Sequence, residues 1–211
     1  MYKNYFKRIL DIAIGIIGFP FFLLAFIIIA PIIKVTDGGP IFYNAKRIGK
    51  SGKLFKMYKF RSMKVNAPDI RLADGSTFNG ADDPRVTKVG RILRATSIDE
   101  LPQLLNILNG TMSLIGPRPD PPDWIDKYPE DIRVFLSVRP GLTGYCQAYW
   151  RNGANGYEKM KADAYYAKNL SFVFDVKIFF KTITMVLGQG NTYKDLSNEN
   201  DAIKVAEKLR K

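Results

Sequence analysis

The sequence predicts an α+β fold, mostly helical, with an N-terminal re-entrant membrane helix, interfacial amphipathic helices and a small hairpin. Three observations carry that expectation. The run from Ile12 to Ile33 is uncharged over about 22 residues, enough to cross a bilayer core as a straight helix. Two short extended runs flank Gly49-Lys50-Ser51-Gly52, the pattern of a β-hairpin. Several later stretches repeat apolar residues at helical spacing.

Composition narrows the chemistry. The 211 residues are 46% hydrophobic and 25% charged, enough for one domain with a core and an appendage. A net charge of +12 calls for an anionic partner: nucleic acid, anionic lipid or a phosphorylated substrate. The single cysteine, Cys146, rules out an internal disulfide and suits a reducing compartment. Histidine is absent, which removes Ser-His-Asp and Cys-His catalysis, imidazole acid-base work and histidine metal ligands. An enzyme built from this chain uses carboxylates, hydroxyls, lysine, tyrosine or an oxygen-bound metal.

The anchor comes first in the chain. Lys3, Lys7 and Arg8 precede the apolar run, and Lys34, Lys46, Arg47 and Lys50 follow it. The positive-inside rule places both flanks in the cytoplasm, and Pro20, near the middle, supplies a bend. A helix that enters and leaves on one face satisfies both flanks. A buried soluble helix this apolar on all sides needs a larger shell than the remaining chain supplies.

After the hairpin, Lys59 and Arg61 stand two apart on its second run and point the same way. Gripping one phosphate and forming a solvated strand face are equally open readings. Residues 64–84 are rich in Asp, Asn, Gly and Pro and predict a loop. From Arg85 to Arg94, Val86, Val89 and Leu93 form an apolar stripe, while Arg85, Lys88, Arg91 and Arg94 recur every third residue. That stripe suits anionic headgroups or an ordinary solvated face.

"TSIDELPQLLN" follows. Ser97 and Glu100 form an S-x-x-E capping box, and Leu101, Leu104, Leu105 and Leu108 give the helix an apolar face. Pro102 moves the expected start toward Asp99, because proline is tolerated in the first turn. Neighbours on a helix do not face each other, so a catalytic Asp99 and Glu100 would hold separate roles. Capping and catalysis both stay open at this point. Further on, "SLIGPRPDPPDW" sets prolines around Arg118, whose guanidinium is presented with little ordering cost. "VRPGLTGYCQAYWRNG" adds Arg139 and Arg151 among glycines that match no G-x-G-x-x-G or Walker pattern. "SFVFDVKIFFKTITMVL" places Phe172, Val176, Phe179, Ile183 and Val186 at helical spacing, for the core or the membrane interface. The charged tail from Asn198 predicts a short terminal helix.

In order, "YFKRILDI", "YKFRSM", "LRATSIDELPQLLNIL", "MSLIGPRP", "RPGLTG" and "YYAKNLSFVFDVKI" resemble the bacterial sugar transferases, specifically the small monotopic phosphoglycosyl transferases of the PglC type. The resemblance implies transfer of a phospho-sugar from a UDP-sugar to polyprenyl phosphate at the cytoplasmic face of the bacterial inner membrane, releasing UMP. It implies an aspartyl-phosphosugar intermediate and Mg²⁺, with Asp99 as nucleophile and metal ligand and Glu100 assisting. By the same resemblance Arg94, Arg118 and Arg151 bind phosphate, joined as candidates by Lys59 and Arg61 from their spacing, and Pro117, Arg118, Pro119, Arg139 and Gln147 bind the nucleotide sugar. Lys7, Arg8 and Pro20 belong to the anchor, residues 1–36, ahead of a catalytic domain at 37–211 containing a small α-β hairpin element. Expected partners are the UDP-sugar, polyprenyl phosphate and membrane lipid, with a second copy of the chain as a candidate and no nucleic acid. Three departures stand out: Thr111 where the family usually has Asp, Tyr149-Trp150 where Asn-Gly is usual, and Phe19-Pro20 in place of Ser-Pro. The rival reading is a membrane-anchored basic protein that binds anionic lipid or nucleic acid without catalysis, with Asp99 and Glu100 serving only as a cap.

Overall fold

The computed structural model describes residues 1–71, 78, 80, 83–150 and 156–188. A π-helical turn, Tyr2–Phe6, leads into α1, Lys7–Asp37. The helical backbone runs through Pro20 and Pro31, so neither proline terminates it. At ~1.5 Å per residue its 31 residues extend about 46 Å.

One face of α1 is buried from end to end, with Lys7, Asp11, Gly15, Phe22, Ile29 and Ile33 recurring at helical spacing. The opposite face, including Ile9, Ile16, Ile17, Leu24, Ile27 and Ile28, is exposed and apolar. Such a helix is covered by protein on one side and offers hydrocarbon on the other. Its N-terminal end is tied by polar contacts: Lys7 to Asp175 at 2.6 Å, Arg8 to the Ile107 and Leu108 carbonyls, and Asp11 to Ser113 and the Leu114 amide.

The expected hairpin forms. Strands β1, Phe42–Ile48, and β2, Leu54–Phe60, pair antiparallel around a turn at Lys50–Gly52, with Tyr43 opposite Lys59. Phe42 and Phe60 stack at 5.6 Å between ring centres, and Phe26 of α1 stacks on Phe42 at the same separation. This aromatic group joins α1 to the hairpin, and Met57, Leu93, Leu104, Ile107 and Met112 complete the core around it.

Helix α2 spans Lys88–Ala95, and Thr87 caps it by accepting from the Gly90 amide at 2.9 Å. Arg85 therefore stands outside the helix and outside the basic stripe expected for it. It is buried against Asp83 at 2.7 Å and donates to the Phe78 and Pro68 carbonyls. Val86 likewise precedes the helix, bridged to Met63. Lys88 and Arg91 remain on the exposed face.

Helix α3, Gln103–Leu108, is followed by β3, Ser113–Ile115, which pairs in parallel with β4, Gly141–Thr143. The sequence reading missed this pair because three-residue strands leave no alternation to detect. The chain between them makes two 3₁₀ segments, Pro122–Lys127 and Arg133–Ser137. Trp124 and Phe135 from these segments, with Ile132 just before the second, fill a second core with Ile115, Tyr166 and Ile178.

Helix α4 is Tyr145–Trp150, α5 is Gly156–Asn169 and α6 is Phe172–Leu187. Helix α5 also went unforeseen, since Ala162, Ala164 and Ala167 bury small side chains that give little periodic signal. The expected α6 stripe is not the buried face: Phe172, Phe179 and Ile183 are exposed and Val176 and Val186 half-buried, while the fully buried residue is Ile178, off the stripe. The tail expected to form a terminal helix lies outside the described residues.

One close approach fixes how α2 sits. A Cβ on Gly90 would lie 1.9 Å from the Ser62 carbonyl oxygen. Gly90→Ala is expected to destabilise the protein by about 1–3 kcal/mol through overpacking, read as a lower melting temperature in detergent. An unchanged melting temperature contradicts this packing.

Candidate active site

Asp99 and Glu100 lie in a 3₁₀ turn, Ile98–Glu100, between α2 and α3. Ser97 opens the turn at φ 59°, a left-handed conformation uncommon outside glycine. Its side chain makes no capping bond, and the Glu100 carboxylate turns to Lys59 and Arg118. The S-x-x-E capping box therefore does not form. Pro102 occupies the N-cap position of α3, at the joint between turn and helix.

The two carboxylates meet different surroundings. Asp99 is 2% exposed, and its Oδ2 lies 2.9 Å from the Lys59 ammonium. Burial pushes the Asp99 carboxyl above its ordinary range, opposed by the charges of Lys59 and Arg94. Glu100 is also desolvated, but Arg118 and Lys59 outweigh that effect and hold its carboxyl well below the usual range. Both cations reach Glu100 Oε1 at 3.0 Å. Glu100 is therefore a fixed anion that organises cations, and a poor proton acceptor.

Other elements deliver these cations. Asn106 of α3 is fully buried and accepts from the Tyr58 amide at 2.9 Å while donating to the Lys56 carbonyl at 2.7 Å. Those two bonds fix β2 against α3 and set Lys59 over the turn. Arg94, at the end of α2, donates to the Ser62 hydroxyl at 2.9 Å. Behind Arg118, Lys159 of α5 donates to the Arg118 carbonyl, to Asp120 at 2.8 Å and to Asp163 at 3.0 Å. The sequence reading missed Asn106, Ser62, Lys159, Asp120 and Asp163. The signals available were an asparagine within a leucine-rich helix and an i, i+4 Lys-Asp pair.

The remaining predicted residues separate. Lys59 and Arg61 line one cavity of about 710 Å³, together with Tyr43, Arg47 and Arg71. Within it Arg61 donates to the Pro40 and Met63 carbonyls, whereas Lys59 reaches the carboxylates. Gln147 lines a second cavity beside Glu100. Pro117, Arg118 and Pro119 share a small crevice with Tyr128 and Phe135. Arg139 donates to the Gly110 carbonyl and faces a third cavity with Lys7 and Asp11, which shares no lining residue with the first two. Arg151 lies outside the described residues. Thr111 helps close the turn after α3, donating to Asn109 at 2.7 Å and accepting from Asn106.

Among the described residues no three Asp, Glu or Cys side chains converge as a closed metal site. Asp99 offers a buried carboxylate whose Oδ2 meets the Lys59 ammonium at 2.9 Å. A lone carboxylate of this kind fits a hard cation such as Mg²⁺, which takes one or two carboxylates with substrate oxygens and water.

A sequence model described as bacterial sugar transferase matches residues 2–189. The chain is 39% identical over 208 residues to an undecaprenyl-phosphate galactose phosphotransferase of Salmonella typhimurium, covering 90% of this chain and 42% of that protein. It is 39% identical over 199 residues to the exopolysaccharide production protein ExoY of Sinorhizobium fredii, covering 89% of this chain and 88% of ExoY. It is also 39% identical over 189 residues to an Aeromonas hydrophila UDP-N-acetylgalactosamine-undecaprenyl-phosphate N-acetylgalactosaminephosphotransferase, covering 44% of that protein. The chain thus spans less than half the length of the Salmonella and Aeromonas relatives and most of ExoY.

Asp163 behind Arg118 gives the site a measurable pH signature. Burial, together with the charge of Asp120, pushes its carboxyl from 3.8 up to about 6, against the pull of Lys159. Between those values the folded protein binds the proton more tightly than the unfolded chain, so this group's contribution to stability falls as pH rises. Asp163→Asn removes that contribution. The melting temperature of the variant between pH 4 and pH 6 is expected to change less negatively with pH than that of the parent. Parallel profiles contradict the assignment.

Proposed function

The chain belongs to the bacterial sugar transferase family, and we propose that it moves a sugar phosphate from a UDP-sugar to polyprenyl phosphate, the first step of surface-glycan assembly. The observation that carries this reading is the pair of buried Asp99 and half-buried Glu100, met by Lys59 and Arg118. The names of the Salmonella and Aeromonas relatives support the substrate classes, a hexose-phosphate donor and undecaprenyl phosphate.

In the first step an Asp99 oxygen attacks the sugar-bearing phosphorus of the UDP-sugar. The bond from that phosphorus to the bridging oxygen breaks, UMP leaves with the electron pair, and an aspartyl-phosphosugar remains. In the second step a phosphate oxygen of polyprenyl phosphate attacks the same phosphorus and Asp99 departs, giving polyprenyl-diphosphate-sugar. Covalent catalysis of this kind divides one displacement into two. Lys59, Arg94 and Arg118 stand where phosphoryl charge develops, and preorganised cations stabilise that charge best in a dry site. Glu100 keeps Lys59 and Arg118 in position. Mg²⁺, held through Asp99 and substrate oxygens, would neutralise further phosphoryl charge.

The anchor reading belongs to the same proposal. Residues 1–36 enter and leave the bilayer on the cytoplasmic face of the inner membrane, bent near Pro20, and residues 37–211 form the catalytic part. The buried face of α1, kept from Lys7 to Ile33, supports it, because a helix crossing the bilayer upright would leave the domain behind. The exposed ring positions of α6 add a second hydrocarbon contact.

Incubation with UDP-sugars, polyprenyl phosphate and Mg²⁺ is expected to release UMP. Asp99→Asn should lower turnover at least about a thousandfold, as loss of a nucleophile does. No UMP from any hexose donor, or an active Asp99→Asn protein, overturns the reading. For topology, single cysteines at Lys3 and Lys34 should react with an impermeant reagent from the same side of sealed vesicles. Labelling from opposite sides contradicts the re-entrant anchor.

A further inference from the structure

We propose that the acceptor's isoprenoid chain binds in the cavity between α6 and the Glu100 turn, separate from the cavity that takes the nucleotide sugar. The inference rests on the polyprenyl-phosphate reading above and deepens it.

Two cavities flank the Lys59–Glu100 ion pair and share no lining residue. One, about 710 Å³, is walled by Arg47, Lys59 and Tyr43, with Arg61 held by the Pro40 and Met63 carbonyls and Arg71 by Asp69; Arg47 and Lys59 suit a diphosphate, and Tyr43 a base. The other, about 240 Å³, is walled by Leu101, Leu142, Phe179, Ile183 and Val186. Its chemistry is hydrocarbon, except at Glu100, Gln147 and a few hydroxyls. The cavities meet across one ion pair, since Lys59 lines the first, Glu100 lines the second, and the two are 3.0 Å apart. A phosphate at that junction can carry a nucleotide on one side or a lipid on the other.

Two further observations name the occupant. Both polar atoms of the Gln147 amide are buried without a hydrogen-bond partner, and leaving such atoms unpaired is costly. In an otherwise apolar cavity that amide calls for a ligand with a polar head, and a phosphate oxygen accepts from its NH₂. Phe179 and Ile183 line the cavity and are also exposed on α6, beside exposed Phe180 and Leu187. The cavity therefore opens onto an apolar helix face, and a long isoprenoid chain continues along that face into lipid. A soluble sugar offers nothing to this wall.

The experiment uses the full chain in nanodiscs. A polyprenyl phosphate carrying a photoreactive group in its first isoprene units is bound to the parent protein without donor. Crosslinks are expected within residues 179–186, competed away by unlabelled polyprenyl phosphate. This binding readout is separate from catalysis, so it stands or falls apart from the functional reading. In parallel, Ile183→Trp, which narrows the mouth at a partly exposed position, should raise the KM for polyprenyl phosphate at least tenfold. The UMP burst from UDP-sugar alone should keep its rate. Crosslinks on residues 42–44, labelling that unlabelled polyprenyl phosphate does not displace, or an equal rise in donor KM would each overturn the proposal.

Discussion

Two adjacent carboxylates withdrawn from water must be met by cations, and those cations cannot come from the turn that carries the carboxylates. Lys59 arrives from the hairpin, Arg94 from the end of α2 and Arg118 from the proline-rich loop. Much of the architecture serves these deliveries. Asn106 clamps β2 to α3, and Lys159, pinned between Asp120 and Asp163, holds the backbone of Arg118. The same imbalance of environment divides the labour between the acids. Asp99, deeper and less compensated, is the one to which the proposed mechanism assigns the attack on phosphorus.

Helix α1 is part of this construction and not merely attached to it. Phe26 stacks on the hairpin that carries Lys59, and Leu104 and Ile107 of α3 pack in the same cluster as Phe22 and Ile29. Arg8 reaches the carbonyls at the end of α3, and Lys7 reaches Asp175 at the start of α6. Helix α1 thus supports both α3 and α6, the helices that border the carboxylate pair, and in the proposed reaction these are the elements that would hold the lipid substrate at the bilayer.

Much of this could be read from residues alone. The uncharged run, the hairpin turn at Gly49-Lys50-Ser51-Gly52 and the missing histidines each have a direct physical meaning, and ordered motifs pointed to Asp99. What could not be read was tertiary. The S-x-x-E pattern at Ser97 was a sound local signal, overridden because Lys59 and Arg118 compete for Glu100 more strongly than one backbone amide. Arg85 fitted a basic stripe by spacing, but Asp83 draws it into the interior. Arg61 fitted a strand face with Lys59 by spacing, but β2 ends at Phe60 and carbonyls occupy the Arg61 guanidinium. Helix α5 and the parallel pair β3 and β4 left no periodic trace, since alanine faces and three-residue strands carry little hydrophobic contrast.

The central claim is that Asp99, in a cationic setting assembled by three other elements, becomes covalently phosphorylated by the donor. Peptide-level mass spectrometry of the parent protein, incubated with UDP-sugar and no lipid acceptor, reads this most directly. The account predicts a gain of one sugar phosphate on the peptide containing Asp99, removed when polyprenyl phosphate is added. UMP release without any adduct, or an adduct on a peptide lacking Asp99, would contradict it.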